Sequence, residues 1–319
     1  MNEGDIHGHF QELWKDVEND TYPNERPLLA HYTSIATLES ILRSDELWFS
    51  NPLLMNDTEE MRFGMIQGRN AFHSSKAIEA ACKSSERYEA LTKLFDDFYE
   101  VFSNDGAFDT YVFCLSKHDP NNQDGRLSMW RGYGGNGHGA AIVIDTSKLE
   151  PRPGHEPLII SKVRYMSTQD RNDWLSNKMQ SFAELIGSAD LPDSKFQIPI
   201  FSLFERLKMF ALFTKHVGFQ EEEEWRAVYL KERDIQNTFT SMLDYAVVGN
   251  TIQPKFRLKV LPIPGYSDKL SLVGIIDRII LGPMASGELH RLSVRRMLNQ
   301  IGKSALVEKV LVSQIPYRP

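Results

Sequence analysis

The chain has 319 residues, is 41% hydrophobic and 25% charged, and carries a net charge of −7. These proportions suit a globular protein that can bury a large core, and the negative balance excludes bulk, nonspecific nucleic-acid binding through a basic surface, though not through a local groove. The two cysteines, Cys82 and Cys114, belong to no Cys-x-x-Cys or Cys/His cluster, which argues against structural zinc and fits a reducing cytoplasm.

The first twenty residues, MNEGDIHGHFQELWKDVEND, are acidic and lack the apolar stretch of a secretory signal, and no apolar run elsewhere is long enough to span a bilayer. The expectation is a cytoplasmic protein with no membrane partner. His7 and His9 read as a surface pair, and residues 9–20 as a short polar helix. Pro23 and Pro27 punctuate the end of an N-terminal extension over 1–27. Leu28 to Tyr32 reads as a buried strand. Thr33 or Ser34 then caps a helix in which Ile35, Leu38, Ile41 and Leu42 recur at helical spacing. Leu47-Trp48-Phe49 is a second strand, ended by Ser50-Asn51-Pro52. Asn56 or Asp57 is a natural N-cap with Glu59 or Glu60 as capping-box partner.

Residues 57–103 read as mostly helical, and the stripe Phe95, Phe98, Tyr99, Phe102 as core packing. Thr110 to Leu115 is a strand, Ser116 to Arg126 a polar loop, Leu127 to Arg131 a short helix and Ala140 to Ile144 a strand. Residues 168–216 read as a helical insert broken near Pro192. In its last helix Ile200, Leu203, Phe204, Leu207 and Phe210 share one side, and Glu205, Arg206 and Lys208 fall elsewhere, as amphipathicity requires. Further strands are expected at 225–230, 256–261, near Ile275 to Leu281 and within Ser304 to Ser313, with a helix at 287–301. Strands and helices mix without regular βαβ alternation. This predicts an α+β fold: one domain over 28–319, with helical inserts near 65–103 and 168–216.

The segment most suggestive of chemistry is Glu221-Glu222-Glu223-Glu224 running into Trp225-Arg226-Ala227-Val228-Tyr229-Leu230. Read as a strand, it sets Glu222, Glu224 and Arg226 on one face, with two carboxylates aimed into one cleft. The alternative is a charged edge that blocks aggregation. His31-Tyr32-Thr33-Ser34 sits at a strand end entering a helix N-terminus, where N–H groups and hydroxyls can meet an anionic ligand, or where His31 simply packs beneath the sheet. Gly132 to Gly137 matches a bare GxGxxG pattern, but a helix precedes it and a strand follows. The dinucleotide fingerprint requires the reverse order. The glycines there permit close approach of backbone to a ligand or to another element. Trp130 and Tyr133 share a helix face and read equally as a clamp for a flat ring or as core aromatics. Lys215 and His216 read as a local basic pair facing the acidic run.

HYTS at 31–34, LWFSNPLLMNDTEE at 47–60 and FCLS at 113–116 open an ordered set of segments. MWRGYG at 129–134, GHGAAIVID at 137–145, KHVGFQEEEEWR at 215–226, IILGP at 279–283 and IPYR at 315–318 complete it. Together they resemble the bacterial family called domain of unknown function 2971, from about residue 28 onward. Thr58 departs from the pattern, which has proline after Asn-Asp. The order of elements is more distantly similar to the ADP-ribosyltransferase fold, which implies a split mixed β-sheet core with helical insertions. The resemblance also implies that NAD is a substrate, held by His31, Tyr32, Thr33, Ser116 and Trp130. Glu224, Glu222 and Tyr133 are then the catalytic set; the acceptor is a protein, nucleic acid, small molecule or water, and no metal is required. Two alternatives stand beside it. One is a Mg²⁺-dependent nuclease or phosphodiesterase using Asp57, Glu60, Glu222 and Glu224. The other is a nucleotide-sensing or interaction module without catalysis.

Overall fold

The structure is a computed structural model that describes residues 3–17, 22–55, 58–150, 156–189, 191–285 and 287–317. Asn56 and Asp57 lie outside the described residues, as does the side chain of Glu60. In chain order the strands are β1 Leu28–Thr33, β2 Glu46–Ser50, β3 Thr110–His118, β4 Ala140–Asp145, β5 Leu158–Lys162, β6 Arg164–Met166, β7 Thr214–His216, β8 Glu224–Leu230, β9 Leu243–Val248, β10 Thr251–Lys259, β11 Ile276–Leu281 and β12 Val310–Val312. The helices are α1 Glu3–Phe10, α2 Ile35–Ser44, α3 Thr58–Ser74, α4 Lys76–Cys82, α5 Ser85–Val101, α6 Leu127–Gly132, α7 Thr168–Ser188, α8 Gln197–Leu212, α9 Leu272–Ile275 and α10 Glu288–Gln300. Strands and helices are mixed as an α+β fold requires. None of the described helices is long and apolar enough to cross a membrane.

The chain forms two compact units. One comprises Met1–Asn19, Asn51–Thr110 and Val163–Gly218; the other comprises Asp20–Ser50, Tyr111–Lys162 and Phe219–Pro319. The second unit carries a mixed sheet in the order β12-β11-β4-β1-β3-β2-β10-β9, with β8 on β3 and β5 on β8. β11 and β12 are parallel, whereas β1 is antiparallel to both β3 and β4. Lys117 N–H reaches the Glu223 carbonyl at 2.9 Å and the rings of Tyr111 and Tyr229 lie 6.2 Å apart. β8 therefore runs antiparallel along one edge of β3. The opposite edge is divided. β1 pairs with it at Ser116–His118 and β2 at Val112, so the ladder is interrupted between them.

The central strands of this sheet bury residues on both faces, whereas β9 and the start of β10 are largely exposed. Leu29, Phe49, Phe113, Leu115, Trp225, Tyr229 and Phe256 belong to the larger core. Ala30, Tyr32, Trp130, Val143 and Ile280 form a smaller one, alternating with the first along β1 as a period-two strand dictates. α2 follows the expected pattern: Ser34 accepts the Thr37 N–H as N-cap, Leu38, Ile41 and Leu42 are buried, and Asp45 ends the helix at φ 56°. The Asp45 carboxylate then takes the Lys303 ammonium at 2.8 and 2.9 Å.

The first unit is helical and built on aromatic packing. Phe72 stacks on Phe95 at 4.0 Å, and Phe95, Phe98 and Phe102 all pack on Phe204 of α8. The aromatic stripe of α5 is thus core. α8 departs from the expected amphipathic pattern, because Glu205, Arg206 and Lys208 are all buried. Pairing supplies the reason. Glu205 and Lys208 form an ion pair one helical turn apart. Arg206 reaches Asp16 at 2.8 Å and lies 4.6 Å from the centre of the Trp174 ring. Asp16 also accepts from Lys178 at 3.0 Å and from Trp174 Nε1 at 2.7 Å. Ile6, Phe10 and Leu13 are fully buried, so the described N-terminal residues are part of this unit's core.

Candidate functional site

The acidic run is a turn followed by a strand rather than one continuous strand. Val217–Glu222 winds as a 3-10 segment, Glu223 takes a left-handed φ of 40°, and β8 begins at Glu224. Glu222 therefore does not share the strand face of Glu224, contrary to the alternation expected from sequence. Glu224 and Arg226 do share it, and they bind each other. Arg226 Nε donates to Glu224 Oε1 at 2.7 Å and Nη2 donates to Oε2 at 3.1 Å. The two residues are 5% and 7% exposed, so this is a buried bidentate pair.

Glu222, half-buried, is the carboxylate the turn presents. Tyr133 OH donates to Glu222 Oε1 at 2.8 Å, and Ser116 Oγ donates to the Glu222 carbonyl at 2.6 Å. Residues from β3, from the end of α6 and from the acidic turn, all in the second unit, thus meet at one point. Arg126 holds the turn in place. Its guanidinium pairs with the Glu223 carboxylate and donates to the Glu221 carbonyl at 2.8 Å and the Lys117 carbonyl at 3.1 Å. Sequence reading missed Arg126; the one available signal was a cation closing the polar loop ahead of four carboxylates distant in sequence.

The aromatic pair divides. Tyr133 is 46% exposed, whereas Trp130 is fully buried. Trp130 donates Nε1–H to the Asp124 carbonyl at 2.8 Å and meets the Tyr32 ring edge-on at 4.8 Å. Tyr32 OH accepts the Arg126 backbone N–H at 2.9 Å. Trp130 and Tyr32 therefore support the loop that carries Arg126, and of the three rings only Tyr133 can face a ligand.

His31 occupies the interruption in the sheet. Its Nδ1 lies 3.0 Å from the Cys114 carbonyl. Since a carbonyl only accepts, Nδ1 carries the proton and donates. Burial holds the imidazole pKa below its ordinary value, so the ring is neutral and Nε2 is an acceptor. The ring stacks on Phe113 at 4.3 Å. It lies on the side of the larger core, while Ser116 lies opposite Ala30 on the other side. The structure thus gathers Ser116, Tyr133 and Glu222, and sets His31 on the far face of the same sheet. Thr33 is buried, and the capping hydroxyl is that of Ser34.

The glycines serve packing between elements. A Cβ on Gly139 would lie 2.1 Å from the Thr33 carbonyl oxygen, and one on Gly282 would lie 2.3 Å from that of Gly137. Gly282 N–H also donates to the Gly139 carbonyl at 2.9 Å. Lys215 is buried in β7, while the exposed His216 accepts the Gly218 N–H on Nδ1 at 3.1 Å. Among the described residues no three His, Cys, Asp or Glu side chains converge as metal ligands. The set named for Mg²⁺ includes Asp57 and Glu60, whose side chains lie outside them.

A family model described as Protein of unknown function (DUF2971) matches residues 129–227. This is the family to which the ordered motifs point, and the matched stretch contains Trp130, Tyr133, Glu222 and Glu224. No curated protein and no solved structure matches the chain.

Proposed function

We propose that the protein consumes NAD, cleaving the nicotinamide–ribose bond as an ADP-ribosyltransferase or, with water as acceptor, as a glycohydrolase. The observation that carries the proposal is the hydrogen-bonded set Ser116–Glu222–Tyr133, held on an acidic turn by Arg126. One feature supports it: the divided edge of β3, in keeping with the split sheet that the resemblance implies. His31, on the far face of the sheet, takes no part in this set.

Bond cleavage develops positive charge on the ribose, as in glycoside hydrolysis. A fixed carboxylate beside that ribose stabilises the charge without reorganising. Glu222 fits this task better than Glu224. Its carboxylate is half-buried and oriented by Tyr133 OH, whereas both oxygens of Glu224 take Arg226. Tyr133, exposed at the same point, offers a ring face to nicotinamide. Glu224 with Arg226 then acts as a buried prop beneath the turn. The acceptor is open to protein, nucleic acid, small molecule or water.

A second reading, a nucleotide-binding module without turnover, is favoured by the withdrawal of Glu224 into its ion pair. Nicotinamide release from NAD separates the two, measured with the protein and with Glu222→Gln and Glu224→Gln, with cell lysate as acceptor source. We expect release that Glu222→Gln lowers by about 100-fold or more at unchanged melting temperature. Glu224→Gln is expected to lower the melting temperature first, because it strands a buried guanidinium. NAD binding by calorimetry without release would favour the non-catalytic module. Neither binding nor release would sink both readings.

A further inference from the structure

On the face of the sheet that carries Phe113 and Leu115, the second unit contains a cavity of about 240 Å³. Its floor is the sheet itself, with Leu29, Phe113, Ile160 and Ala227, and residues of the chain after β10, Val260 and Tyr266 among them, line it too. Among the described residues the lining is apolar apart from Thr146, Ser267, Glu150, Glu156 and the phenols of Tyr22 and Tyr266. Two of these polar groups are already engaged: Tyr22 OH donates to the Leu149 carbonyl at 3.2 Å and Thr146 Oγ1 to the Pro27 carbonyl at 2.7 Å. The buried side-chain atoms without a hydrogen-bond partner among the described residues, on Arg171 and Arg257, are not at this cavity. Water needs two or more polar partners to remain in such a space, and the walls here offer few.

We propose that this cavity is a binding site for a small, uncharged, apolar molecule. An apolar cavity of about 150 Å³ accepts benzene, so this one, about 1.6 times as large, suits a two-ring aromatic such as a naphthyl group or an alkyl group of similar bulk. Among the described residues the charged lining groups are the carboxylates of Glu150 and Glu156, which disfavour an anionic amphiphile. Among the described lining residues there is no cation to meet a phosphate, so the site stands apart from NAD chemistry and the proposal does not rest on it.

The test is a fluorescence titration of the full chain with the neutral dye N-phenyl-1-naphthylamine, alongside its anionic counterpart 1-anilinonaphthalene-8-sulfonate. Ala227→Phe and Val260→Phe each fill the cavity from a different lining position, and near-ultraviolet circular dichroism identifies which of them folds. We expect saturable binding of the neutral dye, at least tenfold weaker binding of the anion, and loss of neutral-dye binding in whichever filled variant folds natively. Excess NAD should not compete. Two results would overturn the proposal: absence of saturable binding, and undiminished binding in a folded filled variant.

Discussion

His31 donates from Nδ1 to the Cys114 carbonyl at 3.0 Å, and the burial of the ring ties its protonation state to folding. Burial lowers the folded-state pKa below the ordinary value near 6.5, against the weaker opposing effect of the Cys114 carbonyl. As pH falls through about 6.5 the unfolded chain takes up the proton first, so the stability His31 contributes is complete above that pH and is lost as pH falls toward the folded-state value. Urea unfolding at about pH 7.5 and about pH 5.5 should therefore show a larger loss for the native protein than for His31→Gln, since His118, also lowered by burial, is common to both. An equal loss would mean that His31 is not buried as a neutral donor. The same scale separates the two glutamates: chemically identical and two residues apart, one is half-buried on a turn with the Tyr133 hydroxyl on its carboxylate, and the other is buried in a strand with both oxygens on Arg226.

At the scale of elements, the glycines between α6 and β4 let three backbone segments touch. Gly139 meets the end of β1 and Gly282, just past β11, meets the Gly137 carbonyl, each closer than any Cβ tolerates. Gly139→Ala and Gly282→Ala should each cost about 3 kcal/mol or more in unfolding free energy, since backbone must shift to admit the methyl. Gly132, helical and with nothing within 4 Å of an added Cβ, supplies the contrast. Gly132→Ala should be neutral or stabilising by up to about 1 kcal/mol. Equal costs at all three positions would refute close packing as the reason for the glycines. From sequence these glycines read as near a ligand or near another element, and local pattern alone contains no term that chooses between them.

At the scale of the whole molecule, the helical unit is assembled from three separate stretches of chain, and its N-terminal stretch is fastened by charge. Burial alone would raise the Asp16 pKa, but Arg206, Lys178 and the Trp174 N–H outweigh it and bring it down to about 2. The stability this contributes is present above about pH 3.8 and is lost as pH falls through about 2. Allowing for the partial exposure of the carboxylate, Asp16→Asn should cost about 2 kcal/mol near neutral pH, with the difference from the native protein narrowing toward about pH 2. A variant as stable as the native protein at neutral pH would show that the N-terminal residues are held by Ile6, Phe10 and Leu13 without the ion pairs.

Elements with strong local periodicity were legible in the residues themselves. They include α2, with its cap narrowed to Thr33 or Ser34, the aromatic stripe of α5, β3, β4, the break between α7 and α8, and the mixed α+β character. Each depends on spacing and capping between near neighbours. β5 and β9 were not legible, because a half-buried or exposed strand needs its partner before it has a face. Burial of the charges on α8 was hidden for the same reason: Asp16, nearly two hundred residues away, turns Arg206 inward. The candidate site followed this division. The residue types Ser116, Tyr133 and Glu222 were visible in the chain, together with the family that residues 129–227 match. Tertiary structure alone decided that Glu222 leaves the strand, that Glu224 is consumed by Arg226, and that Arg126 organises the turn. Which carboxylate is spent and which is presented depends on contacts between residues distant in sequence and on the desolvation those contacts bring, and neither is written in local order.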